Sequence, residues 1–228
     1  MSALGFLERA AAGEPRGLLV LHHGRGADEH DLLPLAEALD PQHRLHVVTP
    51  AGPLSGAGLA GRHWYLVPRV GYPDPETFAL AYRGLAELHD ELWRTTGIEP
   101  AQTILGGFSM GAVMSLALGL GAARPAPAGV LALSGFLPTV ARWEPALSSR
   151  AGLAVLIAHG RRDPVISVEF ARSARDRLRA GGLRVDYHES DVGHNIDPAL
   201  LEPARAWIDG ALAGGSGGDA QAADRPSP

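Results

Sequence analysis

The 228-residue chain carries 20 cationic side chains, every one an arginine, against 25 acidic ones, for a formal net charge of −5 and a pI near 6.0. That balance excludes a general field drawing the protein to phosphate backbones or anionic lipid, so nucleic acid is not an expected partner. Zero cysteines exclude disulfides, thiolate metal sites and a cysteine nucleophile.

With 46% hydrophobic and 20% charged residues, the chain suits a single soluble α/β domain. No apolar run approaches the roughly 18 residues of a membrane span, so no stable membrane insertion is expected. Met1 to Arg9 lacks the basic start and apolar core of a secretion signal, which makes a cytoplasmic location the expectation.

Taken in chain order, short β-type runs alternate with longer helical patterns, which predicts strand–helix–strand units around a largely parallel sheet. Gly17 to His22 is the first clear buried strand. Asp28 to Leu39 reads as a helix with Asp28 near its cap, and Leu45 to Thr49 as a strand stopped by Pro50. Pro50 through Pro75 is rich in Gly and Pro without a steady period, as in a functional loop, and is expected to overhang the site. Glu76 to Arg94 resumes helical spacing, with Phe78, Tyr82, Leu85, Leu88 and Leu92 on one side.

Thr103 to Gly107 is the next strand, followed by a helix over Met110 to Leu120 that is apolar on nearly every side and so predicted to be deeply buried. Strands over Gly129 to Ser134 and Leu153 to His159, a helix over Val168 to Ala180, a last strand over Leu183 to Glu189 and a closing helix over Pro198 to Leu212 complete the pattern. The arginines at 172, 175, 177 and 179 read as a solvated helix face. From Gly214 onward the composition cannot bury a core. One domain over residues 1–213 and a disordered tail over 214–228 are therefore expected.

Gly107-Phe108-Ser109-Met110-Gly111 lies between a strand and an apolar helix, the setting of a G-x-S-x-G nucleophile elbow. A serine hydroxyl is lifted off a strand end by a sharp turn only where close neighbours lack a clashing Cβ. A neutral hydroxyl is a poor nucleophile, so the elbow needs a histidine base and a carboxylate behind it, in the order Ser, Asp, His. Asp163 sits in the loop after the buried run Val155 to His159. Asp186 lies within a strand, and Asp191 and Asp197 flank the proposed histidine too closely to face it without an unusual loop. His194 lies in a strand-to-helix loop past Asp163, whereas His159 and His188 belong to strands. The oxyanion of a tetrahedral intermediate calls for two amides: Met110, after the nucleophile, and Arg25, in the glycine-flanked turn His23 to Asp28. Gly24 and Gly26 match neither a P-loop nor a complete dinucleotide fingerprint.

Together with Arg62-His63-Trp64-Tyr65, Gly160 to Val165 and Gly193-His194, these segments resemble the small carboxylesterase/phospholipase group of α/β-hydrolases, which includes bacterial carboxylesterases and acyl-protein thioesterases. The resemblance runs from Leu18 to about Leu212. It implies the α/β-hydrolase fold, a mostly parallel twisted sheet with helices on both faces. It also implies Ser109, Asp163 and His194 as the triad, the Arg25 and Met110 amides as the oxyanion hole, and Trp64 as a wall of the substrate pocket. The implied mechanism uses neither cofactor nor metal and acts on a small-molecule ester, with short-to-medium acyl groups. Arg25, at a position that looks hydrophobic in familiar members, and Tyr65-Leu66-Val67, in place of a Tyr/Phe-Asp continuation, depart from the pattern. An acyl thioesterase, a lysophospholipase and a non-catalytic binding module on the same scaffold are the alternatives. Self-association as a homodimer stays open.

Overall fold

The computed structural model describes residues 4–56, 58–141 and 143–215. Within them run nine strands: β1 (Phe6–Arg9), β2 (Leu18–His22), β3 (His46–Pro50), β4 (Leu54–Gly56), β5 (Leu59–His63), β6 (Thr103–Phe108), β7 (Gly129–Leu133), β8 (Ala154–Gly160) and β9 (Arg184–Ser190). Five α-helices accompany them: α1 (Leu33–Leu39), α2 (Pro75–Thr96), α3 (Met110–Leu120), α4 (Val168–Ala180) and α5 (Leu201–Gly215).

Seven strands make one sheet in the order β1-β3-β2-β6-β7-β8-β9, and every pair is parallel except the β1–β3 edge. The central strands β2 and β7 are buried at every residue, as unbroken apolar runs covered on both faces must be. Alternation along each strand assigns the two faces. Leu18, Val20 and Leu105 pack with α2 and α3, while Val130, Val155 and Ile157 pack with α3 and α4. Leu19, Leu21, Ile104, Leu131 and Leu156 point the opposite way, toward α1 and α5. Helix α3 lies deepest and all its residues are buried, which is why its sequence carries no polar stripe.

Four local expectations differ from the structure. Strand β1 was not foreseen: its residues alternate exposed and half-buried, and it is a short antiparallel edge with little apolar signal. Helix α1 starts at Leu33, five residues late, because the Asp28 carboxylate accepts from the His30 amide (2.9 Å) and closes a local turn instead of capping a helix. Pro34 then sits in the helix's first turn, where its missing N–H costs nothing. The stretch from Pro50 to Pro75 contains the β4–β5 hairpin. At the far end, α5 continues through Gly215, past the expected boundary at 214. Residues 216–228 of the expected tail lie outside the described residues.

The parallel sheet has a functional consequence. Ser109 follows the carboxyl end of β6, Asp163 the end of β8 and His194 the end of β9, and in open α/β sheets that end is where ligands bind.

Candidate active site

Ser109 holds φ 56° and ψ −116°, a conformation sparsely populated by residues with a side chain. Such strain costs on the order of 1–3 kcal/mol and persists only where the surroundings over-determine it. Here its amide donates to the Leu133 carbonyl of β7 (2.8 Å), and α3 begins at the next residue. A Cβ at Gly107 would come within 2.5 Å of the Gly111 backbone, and one at Gly111 would fall on the His22 carbonyl. The two glycines that flank the serine are therefore required by the close passage of α3 over β2 and β6.

His194 Nε2 lies 2.9 Å from Ser109 Oγ, and His194 Nδ1 lies 2.6 Å from Asp163 Oδ2. An ionised carboxylate only accepts, so Nδ1 carries the hydrogen and Nε2 is left to accept from the serine hydroxyl. Asp163 is fully enclosed. Burial pushes its carboxyl up, but hydrogen bonds from His194 and from the Ile166 and Val165 amides (2.9 and 2.8 Å) outweigh this and hold it below its ordinary value. Phe108 packs against the His194 ring at 4.9 Å between centroids.

Backbone contacts hold the Asp163 and His194 loops together. The Arg161 amide donates to the Ser190 carbonyl (2.8 Å), the Arg162 amide to Val192 (3.1 Å), and the Arg162 guanidinium to the Asp191 carbonyl. Gly160 faces the Val192 and Gly193 carbonyls where no Cβ fits. The rival carboxylates are elsewhere: Asp186 is exposed on β9, Asp191 pairs with Arg161 (2.9 Å), and Asp197 accepts from the Ala199 amide at the start of a short 3₁₀ turn.

Arg25 and Met110 line the same cavity as Ser109. Among the described residues their backbone amides donate to no protein acceptor. The turn that carries Arg25 is held from three sides. The Gly26 amide donates to the Arg62 carbonyl (2.9 Å) and the Arg62 amide to Ala27 (2.8 Å), which ties the turn to β5. His23 accepts at Nε2 from the Gly52 amide (3.0 Å) and donates from Nδ1 to the Gly24 carbonyl (2.7 Å).

Trp64 supplies the third support, and here the expectation needs correction. It does not line the cavity beside Ser109. Its ring is completely buried, stacked on His23 at 4.9 Å, with the indole N–H on the His23 carbonyl (2.9 Å) and its amide on Met110 Sδ (3.3 Å). An indole with a partner for its polar edge is more stable under the loop than in the pocket. The walls are instead Tyr65, Val67, Tyr72, Phe136, Val165 and Ile166. Tyr65 and Val67 lie in the segment expected to overhang the site, but Phe136 comes from the loop after β7, where no sequence signal marked it.

A family model described as Phospholipase/Carboxylesterase matches residues 9–211. The chain belongs to that family. Among curated relatives, MhqD of Bacillus subtilis is 27% identical over 88% of this chain and 96% of its own length. An acyl-protein thioesterase 1 of Debaryomyces hansenii is 28% identical over 74% of this chain and 77% of that protein. Among solved structures, a Bacillus cereus carboxylesterase superposes with a TM-score of 0.78 at 25% identity, covering 92% of this chain and 95% of its own. The esterase PE8 superposes with 0.79 at 28%, covering 91% and 99%. This phospholipase/carboxylesterase family member is thus an α/β-hydrolase with esterase and thioesterase relatives.

Proposed function

We propose that the protein is a serine carboxylesterase that cleaves short-to-medium acyl esters through an acyl-serine intermediate. The observation that carries this reading is the unbroken chain from Ser109 Oγ through His194 to Asp163, with spans of 2.9 and 2.6 Å. His194 takes the hydroxyl proton as Oγ attacks the ester carbonyl, and Asp163 stabilises the imidazolium that forms. The Arg25 and Met110 amides receive the oxyanion, each contributing roughly 3 kcal/mol. His194 then protonates the departing alkoxide, and in the second half-reaction it takes a proton from water as that water attacks the acyl-serine, then returns it to Ser109 Oγ as the acyl–oxygen bond breaks and the acid leaves.

The cavity beside Ser109 has mostly apolar walls and opens to solvent. That suits an acyl chain of short to medium length. A thioester is the second reading, favoured by the acyl-protein thioesterase among the relatives. It uses the same residues, and matched acyl thioesters and oxyesters separate the two by rate. A fluorophosphonate probe should label Ser109 stoichiometrically, and kcat/KM on p-nitrophenyl esters should be higher for short and medium acyl chains than for dodecanoate. A protein that stays unlabelled is a binding module. A rate that climbs to dodecanoate refutes the short-to-medium acyl assignment.

A further inference from the structure

His159, the penultimate residue of β8, has a ring with no exposed surface. Its Nε2 lies 2.8 Å from the Ile166 carbonyl oxygen. A carbonyl only accepts, so this nitrogen carries a hydrogen. The same Nε2 is 3.3 Å from Asp163 Oδ2, the oxygen to which His194 Nδ1 donates at 2.6 Å. Nδ1 has no protein partner among the described residues, and burial holds the imidazole below its ordinary pKa. The ring is therefore neutral, with its N–H fixed on the Ile166 carbonyl and close beside the carboxylate.

The two oxygens of Asp163 are held differently. Oδ1 accepts from the amides of Val165 and Ile166, which are rigid parts of the loop. Among the described residues Oδ2 has two imidazoles as its polar contacts, and one of them, His194, gains a proton and loses it during turnover. We infer that His159 is a positioning residue: its Nε2–H, held by the Ile166 carbonyl 3.3 Å from Asp163 Oδ2, presents the positive end of an N–H dipole that keeps that oxygen turned toward His194 throughout the cycle. This rests on reading Ser109, His194 and Asp163 as the catalytic triad.

The charged and titratable groups around His159 come from three elements. Asp163 and His194 face its Nε2 side, while His188 and Glu189 of β9, together with Asp197, line a chamber of about 160 Å³ that His159 also borders. Glu189 is already bound by Arg172 (2.7 and 2.8 Å) and by the Tyr187 hydroxyl (2.7 Å). Asp163 is thus the carboxylate whose oxygen lies beside the His159 N–H.

H159Q and H159N provide the test, because a glutamine amide nitrogen reaches the place of Nε2 and an asparagine amide nitrogen that of Nδ1. H159Q should keep kcat within about threefold of wild type, whereas H159N should lose about 10- to 100-fold in kcat with KM nearly unchanged. In H159N the acid limb of kcat/KM should also move to higher pH, since Oδ2 without the neighbouring N–H dipole pulls harder on the His194 proton. Equal losses in both variants with an unmoved limb, the signature of disturbed packing alone, overturn the inference. So does full activity in H159N. If wild-type Ser109 resists the fluorophosphonate, the triad reading itself has failed, a separate outcome.

Discussion

Two groups of histidines differ in how their polar atoms are met. At the carboxyl ends of β8 and β9, the Asp163 oxygens accept from two amides and from His194, His159 Nε2 lies 3.3 Å from Oδ2, and both nitrogens of His194 are engaged. Under the Arg25 turn, His22 and His89 are also enclosed, with rings 5.6 Å apart. There His22 Nδ1 meets the Gly106 carbonyl (3.0 Å) and Ser115 Oγ (2.8 Å). His22 Nε2 and both nitrogens of His89 have no protein partner among the described residues. In the first group a hydrogen bond fixes the tautomer of each ring, whereas in the second it does so for His22 and leaves His89 with none among the described residues. The second uses imidazole as a flat filler between Trp64 and Trp93, at a cost in desolvation.

Breaking the partnered group should give the largest effect. Ser109→Ala or His194→Ala should lower kcat by roughly 10⁴- to 10⁶-fold, and Asp163→Asn by roughly 10³- to 10⁴-fold, because an amide there no longer selects the Nδ1–H tautomer. Thermal melts should change little for Ser109→Ala, whose hydroxyl among the described residues bonds to His194 alone. Near-normal turnover in any of the three removes that residue from its role.

The unpartnered group should respond in stability and not in rate. His89→Leu replaces a buried ring lacking hydrogen bonds with an apolar side chain of similar size and should stabilise the fold by about 1–3 kcal/mol in urea titrations. A loss of stability would mean that the ring is satisfied within the folded protein. Burial also lowers the pKa of His22 to about 3, and it lowers those of His89 and His23. Between pH 6.5 and about 3 the unfolded chain then binds more protons at His22 than the native one, so stability is fully present above pH 6.5 and declines as pH falls. The slope is at most about 1.4 kcal/mol per pH unit for each such group. His89→Leu should make this acid slope shallower, and an unchanged slope would remove His89 from it.

What could be read before the structure follows from the range of the forces involved. The elbow was legible because a strand, a sharp turn and a close-packed helix impose glycine within two residues of Ser109, a purely local demand. Asp163 and His194 were legible as candidates because each lies in the loop after a strand, in a known chain order. Their convergence depends on the β8–β9 register, which places Gly160 beside Ser190 and lets the two loops bond. The misplaced features have separate causes. Asp28 had two local hydrogen-bonding options, and the turn to His30 prevailed over a helix cap. The β4–β5 hairpin is glycine-rich and exposed, with positive φ at Gly56, Gly58 and Gly61, so it lacks the alternation that marks a half-buried strand. Trp64 and Tyr65 are adjacent aromatics, and only the position of His23 decides which goes under the loop and which faces the cavity.

The smallest effect should come from a third, peripheral group, which marks how much of the contrast depends on enclosure. Glu189 on β9 accepts from Arg172, from the Tyr187 hydroxyl and from Arg161 (3.2 Å), and the Arg172 bonds lower its pKa to about 2. Arg172 is 37% exposed, so water competes for the pair and the gain is limited. A carboxyl with a lowered folded-state pKa contributes its full stability above pH 4.5 and loses it as pH falls toward 2. Glu189→Gln should therefore lower Tm by about 1–3 °C at pH 7, with the difference from wild type closing below pH 4.5. A much larger drop would show that the arginine stripe of α4 is anchored to the sheet through this carboxylate, because solvated ion pairs do not carry such a cost.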